Sequence, residues 1–305
     1  MSDLKLFRVS GDKVVSLPGG GVALEKSLQV LIERNMETMF GVRFLVSEHS
    51  TGVKHGGRID SLGIDENNSP VIFEYKRATN ENVINQGLFY LDWLVDHKAE
   101  FQLLVLKHFG QSVADAIEWS TPRLTCVAGD FTKYDVHAVS QMGRAIELVK
   151  YTRFGDDLIA LDLIASTRAS AGVGEMSVPK PNGGKAKERT VTSLLDQAPV
   201  TLGDLYAELE AFIVALGDDV TKNTLKFYFA FRRLKNFACV EVHPQTKNLL
   251  VYLKVVPDTV ELVEGFSRDV RNVGHFGTGD LELRITSPAD LAKAQPLIQM
   301  SYENN

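Results

Sequence analysis

The chain has 305 residues, 44% hydrophobic and 24% charged, with 33 basic side chains against 39 acidic and a net charge of -6. These fractions are those of ordinary globular proteins, and the length suits two domains. They exclude gross disorder and a collagen-like repeat, and no apolar run reaches the ~18 residues that a membrane-spanning helix needs.

The acidic balance excludes a surface that attracts nucleic acid everywhere, yet allows a local basic groove. Cys126 and Cys239 lie far apart in apolar stretches. They read as buried thiols of a reducing compartment, and the N-terminus has no apolar signal core, so the expected location is the cytoplasm.

In chain order, LKLFRVS and KVVSL suggest a short strand pair. Leu24, Leu28, Leu31, Ile32 and Met36 recur at helical spacing, and Gly41 is a stop. VRFLVSE reads as a strand. RIDSLGID and PVIFEYK read as two strands joined at Glu66–Ser69. A helix is expected from about 81 to 97, followed by a strand FQLLVLK and a helix near 112–118. The strand RLTCVAGDF, a helix near 136–144 and the strands IELVKY and LIALDLIA complete an α/β layered domain over 1–165.

Residues 166–189 are rich in Gly, Ala, Ser, Pro and Lys, carry a net charge of +3 and have no apolar period. That composition predicts a flexible basic linker. Residues 190–305 then read as a small α+β domain. A helix broken at Pro199 leads into FYFAFRR and a hairpin of FACVEVHPQ with NLLVYLKV. Another helix, a Gly-rich stretch, the strand LELRIT and a closing helix follow.

The chemistry concentrates between Arg58 and Tyr90. Side chains alternate along a strand, so Glu74 and Lys76 project from one face. With a turn near Asn67–Asn68, facing residues sum to about 135, which sets Asp60 opposite Glu74–Tyr75. Two carboxylates suit a hard cation such as Mg²⁺, with Mn²⁺ as substitute. The cation would polarise a phosphoryl oxygen, while the ammonium orients water or offsets developing charge.

The plainer alternative is a surface salt bridge. Against it, Asp60 stands in an apolar run and Glu74 follows a strongly apolar strand. Gln86 and Tyr90 are four apart and share a helix face. Either could bond phosphate or water, and Tyr90 could stack on a base or lie in the core. Glu25 opens the first long helix and is a candidate outer metal ligand or a first-turn acid. His55-Gly56-Gly57 reads as a mobile approach to Asp60.

These residues resemble the PD-(D/E)XK nuclease superfamily, and within it the NucS-like endonuclease domain, over about 22–110. Gly57-Arg58-Ile59-Asp60 resembles its metal-binding signature, and Val71-Ile72-Phe73-Glu74-Tyr75-Lys76-Arg77 its apolar strand ending in Glu-x-Lys. Asn85-Gln86 and Tyr90 resemble its next helix, and Glu25-Lys26-Ser27-Leu28 with Asn35 its opening helix. The NucS-like proteins carry a separate DNA-binding and dimerisation domain ahead of the nuclease, and only about twenty residues precede it here, so mismatch specificity and that mode of dimerisation do not transfer. Residues from about 192 onward resemble a small domain of unknown function found at the end of bacterial proteins.

The resemblance implies a restriction-endonuclease-like α/β/α core and a Mg²⁺-dependent nuclease acting on DNA in preference to RNA. Asp60, Glu74, Lys76 and Gln86 are the expected catalytic residues. Asp60, Glu74 and Glu25 are the expected metal ligands, and Tyr90, Arg58 and Arg77 touch substrate. In the second domain Lys222, Lys226, Arg232 and Arg233, interleaved with aromatics, suggest nucleic-acid contact. The alternative is a catalytically inactive module of the same fold that binds nucleic acid or protein. A homodimer or a protein partner through the C-terminal domain stays open, and no membrane association is expected.

Overall fold

The computed structural model describes residues 4–21, 25–76, 82–168 and 189–305. The chain divides into two compact units, Met1–Glu175 and Met176–Asn305. Most of the predicted linker, 169–188, lies outside the described residues. Its first residue, Ser166, is still part of a strand, and the Thr167 amide donates to the Ile146 carbonyl at 2.9 Å.

The first unit opens with a hairpin of β1 (Leu6–Ser10) and β2 (Lys13–Leu17), then the two-residue β3 (Gly19–Gly20). Next come α1 (Glu25–Phe40), β4 (Val42–Ser50), the one-turn α2 (Gly52–His55), β5 (Arg58–Asp65) and β6 (Pro70–Lys76). They are followed by α3 (Asn82–Asp96), α4 (Lys98–Phe109), α5 (Gln111–Asp115), β7 (Arg123–Ala128), α6 (Lys133–Gln141), β8 (Ala145–Phe154) and β9 (Leu158–Ser166).

Seven strands make one mixed sheet in the order β3-β8-β7-β6-β5-β4, with β9 added to β8. Strands β4, β5 and β6 run antiparallel, whereas β6, β7 and β8 run parallel. The two faces of β6 belong to different helix layers. Phe73 meets Phe40 of α1 with ring centroids 5.1 Å apart. Ile72 packs instead in a cluster with Leu124, Leu148, Leu91 and Leu94 of α3, and Phe101 of α4. Each such buried side chain contributes roughly 1.5–3 kcal/mol. The result is an α/β/α layering with β6 at its centre.

In the first unit one predicted strand departs from expectation. FQLLVLK forms part of helix α4, not a strand. Phe101 and Val105, four apart, are buried, while Leu103 is 49% exposed. A short apolar run carries no period that separates strand from helix. Here the Phe101 ring edge against Trp119, 5.6 Å between centroids, helps seat the helical choice.

The second unit contains α7 (Val191–Asp196), α8 (Val200–Val214), β10 (Thr221–Thr224), β11 (Phe229–Arg232), β12 (Asn236–His243), β13 (Asn248–Leu253), β14 (Ser267–Asp269), β15 (Leu281–Ile285) and α9 (Pro288–Glu303). Pro199 separates α7 from α8 and stands at the start of α8, where its missing amide is harmless.

The six strands are antiparallel in the order β10-β11-β12-β13-β15-β14. Helical residues Leu209, Ile213, Leu291 and Ile298 bury one face of the sheet, against Phe231, Val240, Val251 and Leu283. The helix expected after β13 is only a 3-10 turn at Pro257–Thr259. Leu262 and Val263 beyond it are about half exposed (45% and 47%), so no apolar stripe exists to hold a helix there. No helix among the described residues is long and apolar enough to cross a membrane.

Candidate active site

The regular ladder between β5 and β6 ends at the pair Ser61–Phe73. Beyond it the strands are joined by side chains. The Asp60 amide donates to Glu74 Oε1 at 3.2 Å, and the Tyr75 amide donates to Asp60 Oδ2 at 3.0 Å. Asp60 is thus opposite Glu74–Tyr75, as the hairpin arithmetic requires.

Glu74 is fully buried, and its second oxygen, Oε2, has no hydrogen-bond partner. Burial, followed by the charge of Asp60, pushes its pKa up to about 9. Asp60 is raised too, chiefly by burial, while the Tyr75 amide and the Lys76 charge oppose the rise. Two such carboxylates resist sharing negative charge unless a cation joins them. An orphaned carboxylate oxygen beside a second carboxylate is a donor set for a hard divalent ion that completes its shell with water and phosphate oxygens.

Among the described residues, no group of three or more His, Cys, Asp or Glu stands ready to hold a metal. Glu25, expected as a third ligand, is partnered otherwise: its carboxylate accepts from Lys76 Nζ at 3.3 Å. It remains close enough to raise both Asp60 and Glu74 electrostatically. Helix α1 therefore supplies a counter-charge that holds the lysine.

Gln86 donates to the Tyr90 hydroxyl at 3.2 Å, and the hydroxyl accepts the Arg58 amide at 3.1 Å. Tyr90 is only 5% exposed. A side-chain carbon at Gly57 would stand 2.5 Å from Tyr90 Cε1, so glycine is what lets the ring approach. Stacking of Tyr90 on a base is corrected by this burial; the ring instead fixes the entry to β5. Arg58 extends outward, with Nη1 3.4 Å from Glu48 Oε2. Arg77 lies outside the described residues.

Sequence reasoning missed Gln29 and Glu33. Gln29 is buried and donates to the Asp60 carbonyl at 2.8 Å and to Glu33 at 2.9 Å. Glu33 also accepts the Ser61 hydroxyl at 2.7 Å. The signal was present: Glu25, Gln29 and Glu33 recur every four residues on one face of α1.

In the second unit three of the four predicted basic contacts are engaged with groups of their own domain. Lys222 pairs with Glu210 at 2.6 Å and lies over the rings of Tyr206 and Phe229. Arg232 is 4% exposed and donates to the Leu234 carbonyl. Arg233 pairs with Asp219 at 2.6 Å and covers the Tyr302 ring, and Lys226 Nζ lies over Phe227. Lys222, Arg232 and Arg233 are therefore engaged within the domain, which corrects their expected nucleic-acid contact, whereas Lys226 is exposed. Phe229 and Phe231 belong to the core, which leaves the neighbouring cations to pair locally.

Residues 191–305 match the family model described as "Domain of unknown function (DUF5655)". Over 309 aligned positions the chain is 30% identical to an "Uncharacterized protein" of Haemophilus influenzae, covering 99% of this chain and all of that one. The chain belongs to the family of that Haemophilus protein. Family membership thus spans both units and brings no activity with it.

Among solved structures, a repair endonuclease from Pyrococcus abyssi is similar at 21% identity and a TM-score of 0.29, covering 45% of this chain and 50% of that one. An EndoMS–dsDNA2 complex is similar at 16% identity and a TM-score of 0.29, covering 48% and 64%. The chain thus spans less than two thirds of either, and TM-scores of this size do not establish a shared fold.

Proposed function

We propose that the first unit is a metal-dependent nuclease that hydrolyses phosphodiester bonds of DNA at internal positions. The observation that carries this reading is the buried Asp60–Glu74 pair with its orphaned Glu74 Oε2, next to Lys76. Mg²⁺, or Mn²⁺ in its place, would be held by Asp60 and Glu74 and would supply Lewis-acid polarisation of the phosphoryl oxygen and an activated water.

The chain's own residues do the rest. Glu25 holds the Lys76 ammonium near the carboxylates, where it offsets charge building on the phosphate. The Tyr90 hydroxyl, to which Gln86 donates, accepts the amide of Arg58, which sets the direction of β5 and hence of Asp60. The exposed Arg58 side chain would meet a phosphate. The preference for DNA rests on the motif resemblance.

The test is incubation of the full chain with Mg²⁺ or Mn²⁺ and closed circular, linear and single-stranded DNA, and RNA. Nicking of closed circles, abolished by Glu74→Ala and by Lys76→Ala, is expected. Activity untouched by both substitutions sinks the assignment. DNA binding without cleavage in either metal would favour the non-catalytic module.

A further inference from the structure

The chain ahead of β5 forms a closed loop. The Thr51 amide and hydroxyl both donate to the Gly57 carbonyl at 3.0 Å, and the Gly57 amide donates back to the Thr51 hydroxyl at 2.9 Å. Thr51 is buried. The approach to Asp60, expected to be mobile, is therefore fastened at both ends. It is fastened to the site as well, since Gly57 packs on the Tyr90 ring and the Arg58 amide donates to the Tyr90 hydroxyl.

The loop carries α2, and on it Val53 is fully exposed. Two residues on, the His55 ring lies 5.6 Å from the Phe89 ring and 5.5 Å from the His97 ring. Phe89 itself is 46% exposed on α3, one position before the buried Tyr90. Single exposed apolar side chains are ordinary on protein surfaces. Here the clasped loop carries the aliphatic tip, and its His55 ring meets the open Phe89 ring of α3 just ahead of the strand of Asp60.

Resting on the nuclease reading above, we infer that Val53, His55 and Phe89 form the base-contacting surface of the enzyme. Val53 is a wedge that enters the base stack of duplex DNA beside the scissile phosphate. Three features of the surface argue for nucleic acid. Apolar wedges unstack base steps, and aromatic and imidazole rings offer stacking faces to the displaced base. Arg58, with a side chain 67% exposed, adds a phosphate contact at the loop's end. A wedge also needs a stiff mount, which the Thr51–Gly57 clasp provides.

The test uses the full chain with Val53→Ser, Phe89→Ser and the double substitution, and duplexes carrying 2-aminopurine, either fully paired or with one unpaired nucleotide. Val53 is fully exposed, so Val53→Ser should melt at the wild-type temperature, while Phe89→Ser, which removes a half-covered ring, should lower it by a few degrees at most and leave the protein folded at the assay temperature. The double variant should cleave the paired duplex about 10-fold more slowly or worse, and stay within about threefold of wild type on the duplex already unstacked. The 2-aminopurine signal on binding should fall in parallel. Equal loss on both substrates, or no loss on either, overturns the wedge while leaving the nuclease intact. A wild-type protein that cleaves neither DNA in Mg²⁺ or Mn²⁺ overturns both readings.

Discussion

The amide of Asp60 donates to the carboxylate of Glu74 at 3.2 Å, just where the β5–β6 ladder stops. The two residues are thereby joined by a backbone-to-side-chain bond, which leaves Glu74 Oε2 buried and unpartnered. An unpaired buried carboxylate oxygen costs free energy unless it is protonated or met by a cation. The predictions on pH, metal and lysine begin from that cost.

Stability of the metal-free protein should fall as pH rises. Unfolded, Glu74 releases its proton near the ordinary 4.5; folded, it keeps it to about 9. Between those values the folded state binds more protons. Its contribution is complete below 4.5 and is lost as pH rises toward 9, by at most ~1.4 kcal/mol per pH unit for one proton. Asp60 acts in the same direction. Thermal melts in a chelator from pH 5 to 9 should show the decline, and Glu74→Gln should flatten it.

Divalent metal should reverse that decline. Binding requires the carboxylates ionised, so it releases protons and strengthens with pH. At about 100 times its dissociation constant, Mn²⁺ should stabilise the wild type by ~2.7 kcal/mol. Asp60→Asn and Glu74→Gln should lose most of this. Calorimetry in two buffers of different ionisation enthalpy would detect the released protons.

Lys76 and Glu25 should separate chemistry from metal binding. Lys76→Met should slow single-turnover cleavage by about 100-fold or more while the metal-induced melting shift persists. Glu25→Gln should have a smaller effect on the same rate, because it touches Lys76 and reaches the carboxylates only at a distance. Loss of the metal shift in Lys76→Met would contradict this division.

At the far end of β7, Arg123 should be essential to folding. It is buried between Asp65, which it contacts directly, and Glu147 at 3.3 Å. Arg123→Leu would strand two buried carboxylates and should cost about 3–5 kcal/mol. Both tryptophans, Trp93 and Trp119, lie in the first unit. Urea unfolding followed by their fluorescence therefore reports on this unit alone.

Lys222→Ala and Arg233→Ala should leave DNA affinity and its salt dependence unchanged. Each breaks a local ion pair, with Glu210 and Asp219, and should cost about 1 kcal/mol of stability. A salt slope reduced by about one per lysine or arginine would restore the nucleic-acid surface rejected above.

Much of the site was legible because its motif is local. Asp60, Glu74 and Lys76 lie within one hairpin, where strand period and turn position set who faces whom. Gln86 and Tyr90 follow from helix spacing. The misreadings came where a pattern has two physical meanings. FQLLVLK could suit strand or helix, and basic residues among aromatics could suit DNA or an inward ion pair. Glu25 could face a metal or a lysine, a choice that depends on how α1 meets the end of β6.

The sequence by itself determined the two-part organisation, the α/β and α+β composition, and the hairpin that sets Asp60 opposite Glu74. The net charge of -6 does not exclude a nucleic-acid reading, because it does not say which acids are exposed, and Glu74 is buried. Only the tertiary structure decided which charges are free to act. It tied Lys76 to Glu25, turned Lys222 and Arg233 onto their own carboxylates, and left Glu74 Oε2 and the clasped Val53 without protein partners. Local periodicity sets the direction of a side chain; what that side chain meets is set by elements far away in sequence, through burial and charge.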